Sequence, residues 1–247
     1  MMSLWRALSA EFLKLRRTLA LRLAVGAPLL VVLLNFGVAI QRPGAPSSID
    51  PFVGFAQGIL TLWTLIVLPF YAALAAALMA SIEFQGDNWR HILSLPIERR
   101  SIFLAKWIAG VGLLLISSIV LATGICVSTG ILRLVAPAWR GLAVPVGKAF
   151  RGGILSWSAV TLLFSIQMWI SLRWRSFVLG LGFGIAAILL DLVGLGRSGV
   201  SQFYPWAMPV WTIALNGSKP FLGFIGLMGA VGVTALACSN LSRREYE

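Results

Sequence analysis

The stretch 51–82, PFVGFAQGILTLWTLIVLPFYAALAAALMASI, runs 32 residues without one charged side chain. A helix needs about 20 apolar residues to cross the hydrocarbon core of a bilayer. The stretch exceeds that length, so its span is trimmed to 59–82, with Pro51–Gly58 at the outer interface. Pro69 then falls mid-span, where its missing N–H predicts a kink. Four more stretches lack charge over 19 residues or more: Leu23–Gln41, Trp107–Leu132, Gly152–Leu172 and Pro220–Ser242. A further one, Ser176–Gly196, carries a single acid, Asp191. These runs predict an all-α membrane protein of one domain, 1–247. Its six transmembrane helices are expected at about 20–41, 59–82, 107–132, 152–172, 176–196 and 220–242.

Composition agrees. The chain is 59% apolar and 11% charged, against about 25% charged in a soluble domain, and its mean hydropathy is +0.91. A disordered chain, a disulfide scaffold and almost any soluble enzyme are excluded. A net charge of +12 would suggest nucleic acid in a soluble protein. Here the bases flank apolar runs, where they meet anionic headgroups, so the expected partner is the lipid membrane and not nucleic acid. Cys126 and Cys238 lie inside apolar runs and read as small core residues. No metal is expected, since no ligand spacing is present.

The charge-free segment 198–218 is different. Pro205 and Pro209 stand four residues apart and break a continuous helix. Tyr204, Trp206 and Trp211 are residue types that settle at headgroup level. The segment reads as an outer interfacial or re-entrant element, with a seventh span as the alternative. Six spans put both termini on one side. With the N-terminus inside, inner segments hold 13 of the 20 bases and outer loops hold 7. That bias places both termini in the cytoplasm; the loop Arg133–Arg151, with four bases, argues the other way.

Residues 3–19 carry a helical period of their own. Leu4, Leu8, Phe12, Leu15 and Leu19, with Trp5, share an arc of roughly 100°, while Arg6, Lys14, Arg16 and Arg17 fall outside it and Leu13 is a misfit. A basic amphipathic helix before a span lies in the inner headgroup plane. It can serve as an elbow that passes motion to the first span, or as a passive anchor.

The inner loop 83–106 holds three of the eight acids and the single histidine. Gly86 can end the second span, and Asp87 can cap a short helix from Asn88 to about Ser94. Trp89, Ile92 and Leu93 then share one face at i, i+3 and i+4. Pro96 stops that helix and opens the next. A short helix with an apolar ridge can lie on the membrane or insert into a partner's groove. His91 stands alone and reads as solvated. No G-x-x-x-x-G-K-[ST] phosphate loop is present, so the chain lacks the usual ATP site. Asp191 lies about fifteen residues into its span, roughly two thirds across at 1.5 Å per residue. An intramembrane charge is a functional candidate by default; pairing with Arg197 is the alternative. Gly180 and Gly184, and Ala73 and Ala77, are pairs that permit close helix contact. Gly223, Gly226, Gly229 and Gly232 drift around their helix and predict no single seam.

The order acid, Gly, Trp-Arg, apolar run, Leu-Pro, Arg, Ile-Phe-Leu-Ala-Lys in the inner loop resembles the permeases of ABC-2 type exporters, and more narrowly the bacitracin-resistance and lantibiotic-immunity branch. The opening Glu11-Phe-Leu-Lys-Leu-Arg-Arg-Thr18, six spans in about 250 residues and the aromatic-proline segment before the last span are also similar; the basic loop Arg133–Arg151 departs from the pattern. The resemblance implies a transport subunit that is not itself an enzyme. It implies a second permease copy or a related permease, and a separate ABC ATPase subunit that carries ATP and Mg, in the bacterial cell membrane. It makes 83–106 a cytoplasmic coupling loop, on which Glu83, Gly86, Trp89, Arg90, Pro96 and Lys106 match the family pattern. Trp89 becomes the anchor in the ATPase groove, on a ridge with Ile92 and Leu93, behind the Asp87 cap. Arg90, Arg99 and Arg100 become rim charges that set partner choice. The implied substrate is amphipathic or apolar, such as an antimicrobial peptide or drug. Two alternatives stand beside it: an intramembrane lipid-modifying enzyme, which would need more titratable groups at membrane depth than Asp191 supplies, and a non-transporting subunit that recruits a cytosolic partner.

Overall fold

The computed structural model of the chain describes residues 2–16, 18–41, 51–84, 99–140, 143–174, 176–193, 201–213 and 218–243. Among these residues the fold is all-helical, without a strand. Helix α1 is Met2–Leu15 and α2 is Leu19–Gln41. Helix α3 comprises Pro51–Leu62, a π-turn Trp63–Val67 and Leu68–Phe84. Helix α4 is Arg99–Val135, α5 is Val146–Trp174, α6 is Phe177–Val193 and α7 is Phe221–Arg243.

Five of these helices are long and apolar enough to cross a membrane: α2, α3, α4, α5 and α7. The sixth expected span, 176–196, is described as a helix of 17 residues. At 1.5 Å per residue that is about 25 Å, short of a core about 30 Å thick. The other spans run past their sequence-read ends. Helix α4 has 37 residues and begins at Arg99 because Arg99–Lys106 contains no Gly or Pro to stop it. The last eight residues of the expected loop 83–106 are therefore helix. Helix α3 likewise begins at Pro51, so Pro51–Gly58 continues the span. Its π-turn lies directly before Pro69. Proline cannot donate to the carbonyl four residues back, and a widened turn is one way to absorb that defect.

Helix α5 is central, with buried residues along most of its length. Several are polar, and in a dry interior each needs a partner. Four hydroxyls find it within the helix, whereas Ser171 Oγ is buried without one. Ser156 donates to Gly153 O at 3.0 Å, Ser158 to Leu155 O at 2.8 Å, Thr161 to Ser158 O at 2.6 Å and Ser165 to Thr161 O at 2.7 Å. Ser165 Oγ also accepts from Trp107 Nε1 of α4 at 2.7 Å, and Trp157 Nε1 donates to Val111 O at 3.1 Å. These bonds fix α4 against α5.

Small residues set the closest approaches. A methyl on Gly184 of α6 would stand 2.6 Å from Ala73 Cβ of α3, so the two small-residue pairs read from the sequence meet there. A methyl on Gly226 of α7 would stand 2.7 Å from Ala159 Cα and Ser158 O of α5. Gly223 and Gly229 face Ser158 and Leu162 of the same helix. Contrary to the expected drift, these three glycines form one seam. Each step of three residues turns the helix by about 60°, so three positions cover about 120°, which is one face. Gly232, a step further, faces open space.

The segment 201–213 contains only a 3-10 turn, Ser201–Phe203, and one helical turn, Met208–Trp211. It carries no seventh span among the described residues, as its two prolines predict. Trp206 does not stand free on the surface of the protein. It is buried and packs edge-on to Phe183 of α6 with ring centroids 5.7 Å apart.

Candidate coupling site

Helix α1 does not present its whole apolar arc to the bundle. From Trp5 onward Ala7, Glu11 and Leu15, at i, i+4 and i+8, are its buried positions, whereas Trp5, Phe12 and Leu13 face outward. The arc is split: one edge packs on protein and the other is left uncovered. The middle of the packed edge is an acid. Glu11 is 4% exposed and Lys106 of α4 is 2% exposed. Lys106 Nζ donates to Glu11 Oε2 at 2.9 Å and lies 3.4 Å from Met79 O near the end of α3. Lys14 Nζ donates to Glu11 Oε1 at 3.0 Å from the following turn of α1. The ion pair thus joins three elements: Lys106, two turns into α4, holds Glu11 of α1 and Met79 O near the end of α3. A buried ion pair of this kind costs several kcal/mol of desolvation per ion and holds only while both partners stay in place. It fixes relative position more than it adds stability. Nearby, Tyr71 Oη of α3 donates to Ala20 O of α2 at 3.2 Å, and Thr18 Oγ1 donates to Leu15 O at 2.8 Å. The turn from α1 into α2 is therefore fastened on both sides.

The structure places the other sequence-read residues as follows. Glu83 lies in the last turn of α3, and Arg99 is the first residue of α4. Arg100 is exposed. Gly86, Asp87, Trp89, Arg90, Ile92, Leu93 and Pro96 lie outside the described residues, as does Arg17. Lys106 stands inside the bundle, about 10 Å along α4 from Arg99, and not on the surface where the loop pattern puts it. A side chain 3% exposed has no face to offer a soluble partner in this conformation. Lys14 is half-buried on Glu11, and Arg16 is exposed. Glu11 itself is the residue the pattern overlooks. Its signal was present: it is an acid within about 40° of Leu15 on the apolar edge of an amphipathic helix.

At the opposite end, Asp191 is 8% exposed near the end of α6. Tyr204 Oη donates to Ala187 O, one turn earlier, at 3.0 Å. Burial, and after it the Asp191 carboxylate, push the Tyr204 phenol above its usual range. Asp191 therefore faces the 201–213 segment; Arg197, its expected partner, lies outside the described residues. No group of three or more His, Cys, Asp or Glu able to hold a metal occurs among the described residues.

Several apolar helices long enough to cross a bilayer, packed around a polar central helix, define a multi-pass membrane protein. The chain belongs to the ABC-2 family of transporter proteins, whose family model matches residues 7–191. It is a membrane permease of an ABC transporter, a class that works with an ABC ATPase. Among curated proteins, none matches the chain.

Proposed function

We propose that this chain is the membrane-spanning subunit of an ATP-driven exporter of the bacitracin-resistance and lantibiotic-immunity type. It crosses the bacterial cell membrane six times, with both termini in the cytoplasm, and pairs with a second permease. The sixth crossing uses the short helix α6, whose mismatch the bilayer meets by local thinning. Helix α1 lies in the inner headgroup plane with Trp5 and Phe12 toward lipid. A separate subunit binds ATP and Mg and grips the segment 85–98 through Trp89, Ile92 and Leu93. The substrate is an amphipathic or apolar compound.

The observation that supports this reading is the three-way joint at Glu11. Helix α4 begins immediately behind the docking segment. A displacement of that segment reaches Lys106 along two rigid turns, and Glu11 hands it to α1 and on to α2. Replacing Trp89 with Ala is expected to weaken co-purification of the ATPase by about thirtyfold or more, since a buried aromatic anchor contributes about 2 kcal/mol or more. Membrane insertion should be unchanged, and wild-type recovery of the ATPase would remove the docking role. A reporter fused after Glu247 should read as cytoplasmic, and an external reading would overturn the six-crossing topology.

A further inference from the structure

A hollow of about 160 Å³ opens at the end of the bundle opposite the Glu11 joint, between the first turns of α3, the first turns of α5 and the residues Thr212, Ile213 and Ser218. Lys148 and Arg151 line it, and both are exposed. No salt bridge to either base forms among the described residues. Both also sit in the first two turns of a 29-residue helix, whose positive end disfavours cations. The two bases stand three residues apart with the same charge near a helix N-terminus, and an anion between them would relieve that repulsion. Below them the wall is apolar, formed by Leu60 of α3, Leu155 of α5 and Ile213. Gly152 lets Leu60 approach: a methyl there would stand 2.7 Å from Leu60 Cδ1. Gln57 holds the third wall by donating to Ile213 O at 2.6 Å.

The geometry points to a seat for a phosphate-bearing amphiphile, with the phosphate between Lys148 and Arg151 and the chain running down the Leu60–Leu155–Ile213 wall. Gln57, Thr212 and Ser218 line the same hollow and add polar groups beside its apolar wall. A second hollow at this end, about 430 Å³, has Arg133 and Arg140 on its rim but no uncharged polar side chain in its lining. It therefore provides a control with the same charge and an apolar lining but without the polar groups that Gln57, Thr212 and Ser218 add. The seat does not depend on which molecule is exported or on whether export occurs.

The test titrates the purified chain in micelles of neutral detergent with phosphatidylglycerol, phosphatidylcholine and inorganic phosphate, counting retained molecules by native mass spectrometry. Phosphatidylglycerol should saturate at one retained molecule. Two bases each contributing about 1 kcal/mol at a headgroup give an expected loss of about thirtyfold in affinity for K148Q/R151Q. R133Q/R140Q should stay within about twofold of wild type. Inorganic phosphate should bind far more weakly than the lipid, because it cannot use the apolar wall. Equal loss in both double variants would show that the basic rim attracts anions generally and would overturn the seat. So would equal retention of phosphatidylcholine. Free phosphate binding as tightly as the lipid would limit the site to an anion and remove the amphiphile.

Discussion

Lys106→Met is expected to lower the thermal midpoint of the purified chain by roughly 6–12 °C. Breaking a buried ion pair from one side costs about 3–5 kcal/mol, because the remaining charge stays buried. Here Lys14 still holds Glu11 Oε1 at 3.0 Å, so the lower value, about 3 kcal/mol, applies. For a chain of about this size each kcal/mol moves the midpoint by about 2–4 °C. The companion variant Glu11→Gln/Lys106→Met removes both buried charges and should recover most of the loss, with a coupling energy of about 2 kcal/mol in the double-mutant cycle. The pair then separates two roles. If Glu11 and Lys106 merely stabilise the fold, the recovered double variant transports normally. If they carry displacement from α4 to α1, the double variant folds and binds the ATPase, hydrolyses ATP, and loses substrate efflux by at least tenfold. An unchanged midpoint for Lys106→Met would show that the pair is not closed in the folded chain.

The spans were legible because a bilayer imposes a length and forbids charge, so charge-free runs mark them directly. Their ends were less so. A base ends an apolar run in sequence but does not end a helix, and α4 passes through Arg99, Arg100 and Lys106 without a break. The joint was half visible. Lys106 reads as a surface base until Glu11, 95 positions earlier, is brought against it by the packing of α1 on α4. No local pattern carries that information. Trp206 shows the same limit from the other side: an aromatic beside prolines has one composition whether it floats at the headgroups or packs on Phe183. Of the four bases in the loop Arg133–Arg151, Lys148 and Arg151 line one hollow and Arg133 and Arg140 another, a grouping that a count of charges per side does not see.

Gly226→Ala should destabilise the chain while Gly232→Ala, six residues along the same helix, should leave it unchanged or more stable. In isolation both changes favour a helix, by about 0.8–1 kcal/mol, because alanine loses less backbone freedom than glycine. Packing reverses the sign at one position only. The new methyl at Gly226 meets Ala159 Cα and Ser158 O at 2.7 Å. These are backbone atoms of the central helix, and no side-chain rotation can relieve the contact. Helices α5 and α7 must move apart, and overpacking of this kind costs about 1–3 kcal/mol. In a membrane no hydrophobic drive between helices makes up the loss, since lipid solvates the separated faces as well as protein does. At Gly232 nothing lies within 4 Å, so only the helix propensity acts. Gly226→Val, with two further carbons at the same contact, should fall below Gly226→Ala in thermal midpoint. The separation also strains the bond from Arg173 Nη1 to Asn240 Oδ1, 3.2 Å, which ties the far ends of the same two helices. Equal midpoints for the two alanine variants would mean that α7 does not pack through its glycine seam, and the close α5–α7 contact would have to be abandoned.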